Sequence, residues 1–139
     1  MAGLRRGARA VHKYLVALVV LLIIVQIFLA GEGVFRIKGV NKLDDAKTLD
    51  AHRNLGFILT EPIALLLLIT ALLSWYGDKK LRSIAIAFPF ILFLQDPLAW
   101  IGKWVGGLHA LNAFFILALL GWQMQRLWRG GKVAAATAG

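Results

Sequence analysis

Two histidines carry the most legible chemistry in this chain. His52 and His109 each open a long apolar stretch, and the rest of the sequence is dominated by Leu, Ile, Val, Ala and aromatic residues. An imidazole nitrogen can ligate a metal or a haem iron, and two on opposite sides of a cavity supply both axial positions of a haem. On the His52 face, Gly56, Leu59 and Ile63 follow at helical spacing; on the His109 face, Ala113, Ile116 and Leu120 do. Each face is apolar with a small residue one turn in, which would let a flat macrocycle lie close to the backbone. Arg53, Lys103, Arg36 and Lys38 fall near the same ends and are expected to meet haem propionates through charge-assisted hydrogen bonds. The expected site is therefore one b-type haem ligated by His52 and His109, with Gly56, Ala113, Arg53 and Lys103 around it. Two other readings compete with it. The histidines could serve only at the membrane interface or in helix packing, or they could hold another metal, which would want a third ligand such as Glu32 or Asp96.

The elements that must position these rings are membrane helices. With 60% hydrophobic and 17% charged residues and a mean hydropathy of +0.74, the composition lies outside the soluble range. Four apolar segments, 14–30, 55–76, 84–100 and 108–128, each approach the ~20 residues that a spanning helix needs. Pro89 and Pro97 interrupt the third. Arg5, Arg6 and Arg9 before an apolar run also suit a signal peptide, but the run outlasts the about 7–15 residues of such a core, and Gly31-Glu32-Gly33 is no A-x-A site. The expectation is an all-α, four-helix antiparallel bundle in a single domain, 1–139, with 1–10 and 130–139 as flexible cytoplasmic ends.

Basic residues orient it. Arg5, Arg6, Arg9 and Lys13, then Lys79, Lys80 and Arg82, then Arg126, Arg129 and Lys132 all fall on one side of a four-span bundle, which predicts both termini in the cytoplasm. The formal net charge of +9 is then a topology signal and an attraction to anionic headgroups, and implies no nucleic-acid partner. Tyr14, Trp75, Tyr76, Trp122 and Trp128 mark one interface, and Trp100 and Trp104 the other. With no cysteine in the chain, thiolate metal sites and cysteine-ligated clusters are excluded.

The chain also reads as a duplication. Val25-Gln26-Ile27-Phe28-Leu29-Ala30 matches Leu94-Gln95-Asp96-Pro97-Leu98-Ala99, and each precedes a loop and a histidine-led helix. Inner and outer loops correspond, so the repeat axis lies along the membrane normal. His52 and His109 become equivalent positions. Glu61, nine residues past His52 and so roughly 13 Å deeper, turns to the opposite face, and Pro62 after it permits a bend. A carboxyl at that depth is expected to stay protonated and to hydrogen-bond Gln26 or Gln95; a proton relay is its functional alternative. His12, alone on the cytoplasmic side, is expected to be an interfacial residue.

The segments 26–35, 49–56 and 108–113 resemble a small family of four-helix bacterial membrane proteins, chiefly actinobacterial, which implies fold and topology. In outline the chain is also similar to the b561-like four-helix membrane b-type cytochromes, whose haems are held by histidine pairs across the bundle. That likeness carries over only His52 and His109, as one pair. The expected function is electron transfer at the outer leaflet, with quinone or an extracytoplasmic redox protein as partner and a homo-oligomer possible in principle. The alternatives are a non-catalytic membrane subunit or lipid- or small-molecule-binding protein, and a proton-linked transporter using Glu61.

Overall fold

The computed structural model describes residues 1–37, 47–101 and 104–136, with side chains described through residue 129. The described residues are helical almost throughout. They form α1 (Ala2–Phe35), a 3-10 turn at Lys47–Leu49, α2 (Asp50–Ile58), a π-helical turn (Leu59–Ile63), α3 (Ala64–Ser74), α4 (Lys79–Phe93), α5 (Gln95–Trp100) and α6 (Val105–Ala136). Four helical stretches are long and apolar enough to cross a membrane: Ala2–Phe35, Lys47–Ser74, Lys79–Trp100 and Val105–Arg129.

These four spans close into a square. The first packs on the second and fourth, and the third packs on the same two, so the second and fourth face each other along a diagonal. Short connections force neighbouring spans to run antiparallel. Between them, Val16, Val19 and Ile23 of the first span meet Leu59, Ala64 and Leu67 of the second, Phe88 and Leu92 of the third, and Ile116 and Leu120 of the fourth. A smaller cluster of Ala71, Tyr76, Leu81 and Ala85 continues the core toward the basic end.

Two breaks shape the second and third spans, and proline causes both. Pro62 has no N–H to offer the carbonyl one turn back, and its ring crowds that carbonyl, so the helix widens into the π turn there. The widening accompanies an inward Thr60, whose hydroxyl donates to Asp96 Oδ2 of α5 at 2.6 Å. Pro97 acts likewise in the third span, where α4 ends at Phe93 and α5 restarts at Gln95. At the basic end, Asp78 caps α4 by accepting from the Lys80 and Leu81 amides. Arg9 donates to the Ser74 and Trp75 carbonyls where α3 stops, with Trp75 in the left-handed region at φ 42°.

The sequence-based boundaries fall short at several ends. The first helix begins at Ala2 and not near residue 14, and the fourth runs on to Ala136, so most of 1–10 and 130–139 is helical. Hydropathy marks the lipid-buried stretch, whereas Ala, Leu and Arg continue a helix well past it.

Candidate functional site

His52 and His109 face one another across the diagonal. Their ring centres are 6.0 Å apart and their planes cross at 76°. Both stand beside a cavity of about 660 Å³, walled mainly by apolar side chains that include Ile23, Phe57, Leu59, Leu92, Trp100 and Phe114. Gly56, Ala113 and Arg53 line it too. Five of the six residues expected at a haem site thus share one cavity; the sixth, Lys103, lies outside the described residues, as does Lys38.

The ring orientations are fixed the same way twice. His52 Nδ1 donates to the Gln26 carbonyl at 3.0 Å, and His109 Nδ1 donates to the Gln95 carbonyl at 3.0 Å. A carbonyl can only accept, so Nδ1 carries the proton in each ring. The neutral imidazole then keeps its lone pair on Nε2. The acceptors are the two glutamines that the repeat makes equivalent, so the duplication read from sequence has a structural counterpart in two matched bonds. Side chains secure both glutamines: Gln26 Nε2 donates to the His52 carbonyl at 2.7 Å, and Asn112 Nδ2 donates to Gln95 Oε1 at 3.1 Å. Asn112 drew no attention as a polar residue in an apolar run, although its place three residues after His109, on the same face, was a readable signal.

Several expectations need correction. Gly56 leaves room for a protein group: a Cβ there would meet Gln26 Nε2 at 3.1 Å, so the glycine seats the amide that holds the His52 turn. Arg36 lies in an ion pair with Glu32, and Arg53 pairs with Asp50 at 2.8 Å, so these guanidiniums already have carboxylate partners on their own helices. Glu61 does not reach Gln26 or Gln95. It is exposed on the outside of the bundle with no hydrogen-bond or ion-pair partner among the described residues, because the buried face of its helix runs through Leu59, Thr60, Ala64 and Leu67.

His12, expected at the membrane interface, is buried among the helices. It is 1% exposed, and its Nδ1 donates at 2.8 Å to Thr70 Oγ1, whose own proton goes to the Leu66 carbonyl. Its ring lies 5.9 Å from that of Tyr76. Burial pushes the Tyr76 hydroxyl above its ordinary pKa. His12 has no second histidine near it, and among the described residues no three His, Asp or Glu side chains gather as a metal site. Glu32 and Asp96 therefore do not complete a zinc-type set with the histidine pair.

The residues at the cavity fit a bis-imidazole haem on three counts. Histidine ligands characteristically donate their other ring N–H to a carbonyl or carboxylate, which sets tautomer and orientation, and both rings do so. The ring centres stand 6.0 Å apart, a separation at which one metal could accept a nitrogen from each. The cavity volume also falls within the about 300–1,000 Å³ of small-molecule clefts and cavities. No protein-family model, curated protein or solved structure matches this chain.

Proposed function

We propose that the chain is a membrane b-type cytochrome holding one haem b between His52 and His109 and passing single electrons near the outer leaflet, with quinone or an extracytoplasmic redox protein as partner. The observation that supports it most is the matched pair of Nδ1 to carbonyl bonds at Gln26 and Gln95, made by two histidines that line one cavity. A bound haem supplies a one-electron iron couple. The protein's own contribution is to fix both ring orientations and to line the site with the apolar side chains of Ile23, Leu59, Leu92 and Phe114. Hemin titrated into the detergent-solubilised protein should saturate at one per chain. Saturation that survives loss of both histidines would remove the reading.

A second reading rests on the same apolar walls, which suit a lipid tail or other apolar small molecule in a non-catalytic membrane subunit. It requires no ordered imidazole pair. Glu61 lies outside the cavity, so a proton-linked transporter gains no pathway through the single bundle.

The orientation belongs to this proposal as well. Ten basic residues cluster, by sequence, toward the end of the bundle opposite the histidines, and the excess of basic residues on cytoplasmic loops supports reading that end and both termini as cytoplasmic in a bacterial membrane. Reporter fusions at Gly139 and within residues 39–47 should score on opposite sides, with the C-terminus inside. An outside score at Gly139 would move the haem to the cytoplasmic surface and change its partner.

A further inference from the structure

Glu61 sits where a carboxyl has no business being alone. It lies 13 residues before Ser74 and 14 after Lys47 in a span bounded by those residues, hence roughly 20 Å from either end. It is exposed on the outer face of the bundle and has no partner among the described residues. Ionisable side chains at that depth face a bundle interior or a paired group, because an unpaired carboxyl in hydrocarbon is costly. The lone chain provides neither.

The surroundings resemble a helix-packing seam. Leu65, Ile69 and Leu72 are exposed after Glu61 at spacings of four and three residues, and Ile58 is exposed just before the π turn. Such a stripe packs against a second helix at a shallow crossing angle. Among the described residues, Glu61 is the one exposed polar side chain in the middle of any of the four spans. Among the described residues the cations lie toward the span ends and none pairs with it. A second copy, inserted in the same orientation, brings its own Glu61 to the same depth automatically, and a twofold contact sets a residue near the axis against itself.

We propose that the Ile58–Leu72 face of the second span is a dimer interface between two copies of this chain, in which the two Glu61 carboxyls meet at a twofold axis and hydrogen-bond each other. With both carboxyls protonated, each hydroxyl donates to the carbonyl oxygen of the other, so the pair is neutral and no cation is needed. This inference does not depend on the haem.

The absence of cysteine makes the test clean. Single Ile58→Cys or Leu65→Cys chains, oxidised in native membranes, should cross-link to dimers at least tenfold more than Leu21→Cys or Phe90→Cys, which are exposed on the first and third spans. Adding Glu61→Lys to the Leu65→Cys chain should abolish that cross-link, since two ammonium groups would face each other. Adding Glu61→Gln should keep it, because an amide pair can still bond. Mixed dimers between a tagged Leu65→Cys chain and one that also carries Glu61→Lys should form in preference to either like pair, a charge-specific rescue that misfolding would not produce. Equal cross-linking at all four positions, or no rescue in the mixed pair, would overturn the proposal. A cross-link only to another protein's helix would also overturn it, and would assign the face to a partner that brings a cation.

Discussion

Replacing either His52 or His109 with alanine is expected to eliminate the low-spin, six-coordinate haem spectrum, leaving a weakly held five-coordinate haem or none. One imidazole cannot fill both axial positions. Each ring is also held in place by its own carbonyl, 3.0 Å away on Gln26 or Gln95, so neither histidine can move over to serve for the other. Affinity should fall by more than the about 10–100-fold that loss of a mere orienting partner produces at metal sites. His12→Ala is the internal control. His12 lies 14 residues before Gln26 on α1, roughly 21 Å along the helix, and is engaged with Thr70. Its loss should lower stability without altering the haem spectrum. Optical titration of the three variants with hemin checks this, and an unchanged spectrum in either His52→Ala or His109→Ala would show that the pair does not ligate.

The second large effect is expected at Gly33, where α1 packs on the turn before α2. A Cβ at Gly33 would stand 2.7 Å from the Thr48 carbonyl oxygen and 2.6 Å from Leu49 Cδ2. The leucine can rotate away, but the Thr48 backbone cannot without moving the turn that leads into α2. Gly33→Val should therefore cost on the order of 3 kcal/mol. It should also loosen haem binding, because that turn sets the approach of His52 to the Gln26 carbonyl. Gly31→Ala, where an added Cβ meets nothing within 4 Å, should be neutral or stabilising by up to about 1 kcal/mol through helix propensity. Thermal unfolding in detergent, followed by circular dichroism, separates the two variants. Equal melting temperatures would mean that the close contact at Gly33 does not constrain the helix pair.

The readable part of this protein lay in its periodicities and its repeat. Four long apolar runs leave little choice but four spans, since a helix satisfies its own backbone in hydrocarbon. The pairing of His52 with His109 was legible because the Gln26 and Gln95 segments stand in matching places before them. What escaped was the outcome of competition among polar groups. Gln26 looked free to meet Glu61, yet its amide is committed to the His52 carbonyl, which Gly56 makes possible by leaving space. Thr60, adjacent to Glu61, takes the inward position and bonds Asp96 instead. His12 was read as a lone interfacial residue, although His12, Val16, Val19 and Ile23 recur at spacings of four, three and four along the buried stripe of α1. That pattern was present in the chain; its hydrogen-bond partner, Thr70 on another span, was not visible without the packing.

The central claim is that the diagonal histidine pair exists to hold a haem, and the absorption spectrum of the full-length protein purified from haem-replete cells tests it most directly. The account predicts a coloured protein with a Soret band that shifts on reduction with dithionite, sharp low-spin visible bands, and one haem per chain by pyridine haemochrome. A colourless preparation that also fails to take up added hemin would contradict it, and the cavity between His52 and His109 would then belong to an apolar ligand.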